Sequence, residues 1–66
     1  MKVLRNTRTN KAYLINVSDD VPRYHNNESL KALGFVCPEA NELDCYTVDK
    51  KSDFDKRKQI PVLERL

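Results

Sequence analysis

The chain has 66 residues, of which 33% are charged and 39% hydrophobic, and its formal net charge is +2. A chain this short forms one domain and buries only about 60% of its unfolded surface, which argues against a large enclosed substrate pocket. No apolar run approaches the roughly 20 residues that span a bilayer, and two cysteines are too few for a disulfide scaffold.

The start of the chain lacks the apolar core of a signal peptide, because Arg5 follows the short apolar pair Val3 and Leu4. We therefore expect a cytoplasmic protein with reduced cysteines and no membrane contact.

Charge is distributed unevenly along the chain. Residues 1–17 carry four basic side chains and no acidic one, residues 18–49 carry seven acidic and two basic, and residues 50–66 carry six basic and three acidic. Two interpretations follow. The oppositely charged segments attract one another within the fold, or the basic ends present a surface to an acidic partner.

Residues 2–17 are predicted to form a β-hairpin, because its two strand segments are enriched in Val, Ile, Tyr and Thr and both flanks are polar. In the turn, Asn10 is the residue that best tolerates a left-handed backbone. A three-residue loop at 8–10 is favoured over a two-residue loop, because it sets Val3 opposite Ile15 and keeps more apolar groups on one face. That predicted face consists of Met1, Val3, Tyr13, Ile15 and Val17.

A polar crossover and a short helix follow the hairpin. Asn26 or Asn27 is the predicted N-cap. Leu30 and Leu33 share a face at i, i+3 spacing, and Gly34 is the predicted C′ residue. Since a helix of about two turns is marginal alone in water, the two leucines must pack on the sheet.

The second half of the chain predicts another hairpin. Residues 35–37 form its first strand, a turn begins at Pro38, and residues 43–48 form the return strand. This arrangement would place Cys37 near Cys45.

From Asp49 the sequence becomes polar. Ser52 is the predicted N-cap of a helical turn over residues 53–59 that ends before Pro61. The apolar residues beyond it form either an edge strand or a helical turn, docked on the chain's own core or on a second copy; they are Ile60, Val62, Leu63 and Leu66.

One stretch resembles a pattern found elsewhere. Leu30–Phe35, followed by Pro38–Ala40 and Tyr46, is similar to a helix-plus-hairpin pattern that recurs in small modules of phage, plasmid and DNA-processing proteins. The resemblance covers under a third of the chain. Cys37 stands where the pattern has its first tryptophan, and Cys45 stands near the second. The resemblance implies a fold and no functional residues.

Cys37, Cys45 and His25 are candidate zinc ligands, with Asp44 or Asp49 as a fourth. Zinc sites usually contain closely spaced ligand pairs such as C-x-x-C, which the sequence lacks, so we predict no metal site and no cofactor. A Cys–His nucleophile needs a pocket and an orienting third group, for which so small a domain has little room. We therefore expect no catalytic residues and no enzymatic activity.

The basic hairpin is the main candidate binding surface. Its cations and neighbouring tyrosines could track a phosphate backbone and stack on bases, and the C-terminal cations could extend the surface. The candidate binding residues are Lys2, Arg5, Arg8, Lys11, Tyr13, Tyr24, Lys56, Arg57 and Lys58. The acidic middle and the modest net charge argue against a dedicated nucleic-acid-binding protein.

Together these features predict a small α+β domain spanning residues 1–66. An antiparallel sheet of two hairpins has one short helix between them (ββαββ). Residues 50–66 form a loosely packed element, either flexible or docked on a partner. The predicted core consists of Val3, Tyr13, Ile15, Val17, Leu30, Leu33, Phe35, Cys45 and Leu63.

By elimination, the predicted function is that of a small non-enzymatic interaction protein. It would bind and regulate or inhibit another macromolecule, most readily a protein, as accessory proteins of phages and mobile elements do. The alternative is nucleic-acid binding by the basic N-terminal hairpin. The apolar C-terminal residues are a candidate homodimer contact.

Overall fold

A computed structural model describes residues 1–51 and 59–66 of the chain. In chain order its elements are β1 (Lys2–Asn6), β2 (Ala12–Ile15), β3 (Tyr24–Asn26), α1 (Asn27–Ala32) and β4 (Cys45–Lys50). The strands form one antiparallel sheet in the order β2-β1-β4-β3. The predicted α+β class, with a four-stranded antiparallel sheet and one short helix, is confirmed.

The third strand lies before the helix, at Tyr24–Asn26, and not at residues 35–37 as predicted. The helix end explains the difference, because the Phe35 N–H donates to the Leu30 carbonyl at 3.2 Å and so takes no part in a strand ladder. The side chains of Phe35 and Cys37 are nonetheless buried in the core. β4 begins at Cys45, two residues after the predicted start of the return strand.

The first hairpin forms, but its predicted register is wrong. Val3 lies opposite Leu14 and Lys2 lies opposite Ile15. The loop has four residues, 7–10, and is closed by a 2.9 Å hydrogen bond from Asn6 N–H to the Lys11 carbonyl. The Asn6 side-chain oxygen accepts from Arg8 N–H at 2.8 Å, which starts the turn before the predicted loop. Asn10 adopts the expected left-handed conformation, with φ of 61°.

Helix α1 has the predicted caps. The Asn26 side chain accepts from Ser29 N–H at 2.8 Å, and Ser29 Oγ accepts from Asn26 N–H at 3.0 Å, which forms a capping box. At the other end Gly34 has φ of 99° and donates its N–H to the Lys31 carbonyl at 2.9 Å. This bond and the Phe35–Leu30 bond together make a Schellman motif.

The core lies between one face of the sheet and the chain from α1 to Cys37. This core face carries Leu4, Ile15, Tyr46 and Val48, and burying each such side chain contributes about 1.5–3 kcal/mol. The full buried cluster is Leu4, Ile15, Leu30, Phe35, Cys37, Tyr46 and Val48, with Tyr13, Val17, Val21, Leu33 and Leu63 packed partly buried against it.

Two predicted core residues differ in outcome. Cys45 is exposed; the alternation of β4 turns Tyr46 and Val48 toward the core face and places Cys45 on the second face. Val3 is fully buried, but on the second face of the sheet, since the observed register puts Leu4 on the core face. Thr47 is buried on the same second face.

The C-terminal residues extend the sheet beyond β2. Leu14 N–H donates to the Pro61 carbonyl and Leu63 N–H donates to the Leu14 carbonyl, both at 2.8 Å, so Val62 pairs parallel to Leu14. This pairing matches the edge-strand alternative for the apolar tail. The predicted helical turn at 53–59, and its cap at Ser52, fall outside the described residues except for Gln59.

The left-handed backbone at Gly34 gives a test of the helix end. Replacing Gly34 with Ala should lower the free energy of unfolding by about 1–2 kcal/mol, because a Cβ disfavours that conformation. The added Cβ would meet Arg65 Cγ at 3.4 Å, an ordinary contact, so the cost lies in the backbone. Urea unfolding measures it. Gly34→Asn is the control and should lose less, and equal stability of Gly34→Ala and wild type would contradict the motif.

Candidate interaction surface

The basic side chains of the first hairpin do not form one continuous patch. Lys2 and Arg5 lie on opposite faces of β1, with Lys2 on the core face and Arg5 opposite Thr47 on the second face. Lys2 is largely buried, and the Nε atom of Arg5 is buried without a partner among the described residues. Lys56, Arg57 and Lys58 fall outside the described residues.

The other two hairpin cations are paired with acids from the middle of the chain. Arg8 Nε donates to Asp44 Oδ1 at 2.6 Å, and Lys11 Nζ lies 2.5 Å from Glu39 Oε2. These pairs support the interpretation that the oppositely charged segments attract one another within the fold. They also leave fewer cations available to a phosphate backbone.

Asp44 is the centre of the first pair, and its side chain is only 2% exposed. Its Oδ2 atom accepts from Asn6 Nδ2 and from Asn41 N–H, both at 2.9 Å, in addition to Arg8 Nη2 at 3.2 Å. A buried carboxylate needs such a set of donors to offset its desolvation. The cluster of Asn6, Arg8, Asn41 and Asp44, called here the Asp44 clasp, ties the loop before β4 to the first hairpin turn.

The clasp lowers the pKa of Asp44. The hydrogen bond from Arg8 is the largest cause, followed by the Asn41 N–H, and both hold the pKa well below its ordinary value of 3.8. Because the folded state favours the ionised carboxylate, its contribution is fully present above that ordinary value. The contribution is lost as the pH falls toward the folded-state pKa.

We expect the stability of the wild-type protein to fall as the pH is lowered below about 4, and Asp44→Asn to flatten this dependence. Asp44→Asn should also be less stable than wild type at pH 7, because it loses the charge that Arg8 faces. Melting temperatures measured from pH 2 to pH 7 test both points. Glu39→Gln is the matched control, since its ion pair is exposed and should matter less. Identical profiles for wild type and Asp44→Asn would contradict the clasp.

The two candidate tyrosines differ in environment. Tyr13 is half-buried against the core, whereas Tyr24 is 71% exposed on β3 at the edge of the sheet. The guanidinium of Arg23 lies over the Tyr24 ring, 5.4 Å from its centroid, and Arg23 Nε lies 3.1 Å from Asp49 Oδ1. Tyr24 is therefore an exposed aromatic ring with an ordered cation beside it.

Arg23 and Asp49 are not among the residues that the sequence predicts for the surface. The position of Arg23 next to Tyr24 is the signal that the sequence offers, but Arg23 lies within the mainly acidic segment 18–49. Nothing local indicates Asp49 as its partner, because the pair forms only when β4 lies beside β3.

The backbone of Tyr24 also faces outward. Val48 N–H donates to the Arg23 carbonyl at 2.7 Å, so residues 23 and 48 face each other as a hydrogen-bonded pair. In an antiparallel ladder such pairs alternate with non-hydrogen-bonded ones, and Tyr24 opposite Thr47 is therefore of the second kind. The N–H and carbonyl of Tyr24 point away from β4, toward the open side of β3.

The candidate metal ligands are not brought together. Among residues 1–51 and 59–66, no three His, Cys, Asp or Glu side chains lie close enough to hold a metal ion. His25 is buried, with Nε2 donating to the Pro22 carbonyl at 2.7 Å and Nδ1 3.0 Å from Ser29 Oγ. These bonds give His25 a structural role at the start of α1.

The two cysteines are free thiols with different exposure. Cys37 is buried, which raises the pKa of its thiol, and Cys45 is exposed. We expect a thiol reagent at pH 8 to label one cysteine in the folded protein and two in denaturant. Cys45→Ser should abolish the labelling of the folded protein, while Cys37→Ser should leave it intact. Fast labelling of Cys37 in the folded state would contradict the burial.

Three of the open cavities that described residues line bear on the candidate surface. One lies between residues 16–18 and 62–65, and another lies beside the Asp44 clasp. The third lies at the opposite end of the sheet and is lined by Met1, Lys2, Asp19, Lys50 and Lys51.

Comparison of the chain with protein-family models, with curated proteins and with solved structures gives no match. In the part of the chain that the structure describes, no helix has the length and apolarity needed to cross a membrane.

Proposed function

We propose that this protein is a small non-enzymatic interaction protein that binds another protein through the open edge of β3 and so regulates or inhibits it. The observation that carries the proposal is the exposed pair of Arg23 and Tyr24 on that edge. Small accessory proteins of phages and mobile elements act in this way, and we propose that this protein is one of them.

The two edges of the sheet differ in their availability. The β2 edge is hydrogen-bonded to Pro61 and Leu63 of the same chain. On the outer side of β3, by contrast, no strand of the described residues is paired with it. An extended segment of a partner can therefore pair with the outward N–H and carbonyl of Tyr24 by strand addition.

Side chains must supply most of the affinity, because β3 is three residues long and offers the backbone groups of one residue. Tyrosine and arginine are the residue types that most often dominate protein interfaces. Here Asp49, whose side chain is 17% exposed, holds Arg23 over the Tyr24 ring before any partner arrives. Such preorganisation reduces the entropy lost on binding.

A capture experiment with variant baits tests this proposal. We expect the immobilised wild-type protein to retain a specific protein partner from a lysate, and Tyr24→Ala to weaken that binding by about tenfold or more, as loss of an interface hot spot does. Leu43→Ala is the matched control, because Leu43 is also a large exposed side chain but lies outside β3. Equal melting temperatures of the three proteins would show that the fold is retained.

A parallel arm with nuclease distinguishes the alternative partner class. Partners that persist after nuclease treatment support protein binding. Loss of every captured partner under nuclease would overturn the proposal in favour of nucleic acid. Equal capture by wild type and Tyr24→Ala would remove β3 as the binding edge. Sedimentation at increasing concentration would show whether a second copy, through exposed residues such as Val62 and Leu66, is itself the partner.

A further inference from the structure

Two lysines face each other at the end of the sheet away from the Asp44 clasp. Lys2 on β1 is the register partner of Lys50 on β4. Thr7 N–H donates to the Cys45 carbonyl at 3.0 Å, which makes 7 and 45 a hydrogen-bonded pair. Counting along the ladder, 2 and 50 form a non-hydrogen-bonded pair, the kind in which opposing side chains lie closest.

Like charges directly opposite on one sheet face are destabilising. Neither lysine forms an ion pair with a carboxylate of residues 1–51 or 59–66. Lys2 is also only 9% exposed, so the methylene groups of its side chain are held in place by their surroundings. Within the described part of the chain, a bound anion would offset the like charges of this pair.

One further lysine, Lys51, lines a cavity with the pair. An open cavity of about 500 Å³ is lined by Lys2, Lys50, Lys51 and Met1, with Asp19 as the acidic residue in its lining. Three lysine ammonium groups against one carboxylate leave a net positive cavity. Lysine ammonium groups act as point charges toward phosphate oxygens.

We propose that the cavity formed by Lys2, Lys50 and Lys51 is a binding site for a compact polyphosphate, such as pyrophosphate or the phosphate chain of a nucleotide. The ligand would lie between Lys2 and Lys50, with Lys51 on a second phosphate group. This site is independent of the β3 edge, so either proposal can fail without the other.

The charge layout favours a compact ligand over a nucleic-acid strand. A strand needs cations spaced along a track of several phosphates. At the far end of the first hairpin, however, Arg8 and Lys11 are already paired with Asp44 and Glu39. Among the described residues, Arg8 and Lys11 therefore offer less uncompensated charge than the lysines that line the cavity.

Calorimetric titration of the 66-residue chain with sodium pyrophosphate at low salt tests the site. We expect saturable binding with one ligand per chain, weakened about tenfold by Lys50→Gln. Asp19→Asn should tighten binding, because it removes the carboxylate from the lining. Lys31→Gln, which changes an exposed lysine on α1, is the matched control and should bind as wild type does.

Stability provides a readout that a purely structural role for Lys50 would not reproduce. Lys50→Gln should melt higher than wild type without ligand at low salt, and pyrophosphate should raise the melting temperature of wild type more than that of the variant. Adenosine triphosphate and a thymidine 20-mer form two further arms. Binding of the 20-mer alone, binding that Lys31→Gln weakens equally, or no response to Asp19→Asn would each overturn the proposal.

Discussion

The pairing of β1 with β4 is the constraint on which the rest of the structure depends. It joins strands separated by about forty residues, and closing so long a loop is costly before the contacts form. The pairing sets Leu4 beside Val48 at the centre of the core face. At one end it brings Arg8 to Asp44, and at the other it sets Lys2 against Lys50. Packing and surface charge therefore follow from one register.

The two ends of the sheet differ in how their charged side chains are paired. At the clasp end, Asp44 is buried and receives donors from Asn6, Arg8 and Asn41, so charge is neutralised within the fold. At the other end, Lys2 and Lys50 face each other without such compensation among the described residues. A buried network with all its partners present stabilises a fold, whereas buried polar groups without partners are costly. The β3 edge is distinct from both, because its groups face outward.

Local signals accounted for the helix and its ends. Asn26 and Gly34 act as caps through bonds to residues within five positions, so their roles are readable from the sequence. The candidate surface is harder to predict from the sequence. Tyr24 was identified from its residue type, but the ordering of Arg23 by Asp49 and the neutralisation of Arg8 by Asp44 depend on residues 26 and 36 positions away. No local pattern specifies such partners.

The sequence by itself determined the α+β class, the first hairpin, the capped helix and the left-handed positions at Asn10 and Gly34, because each rests on the chemistry of neighbouring residues. Tertiary structure alone decided the hairpin register, the choice of Tyr24–Asn26 over residues 35–37 as the third strand, and which face of β4 is buried. The physical reason is that several registers and strands satisfy the local pattern equally well. Only the requirement that Leu4, Tyr46 and Val48 share one core with α1 distinguishes among them.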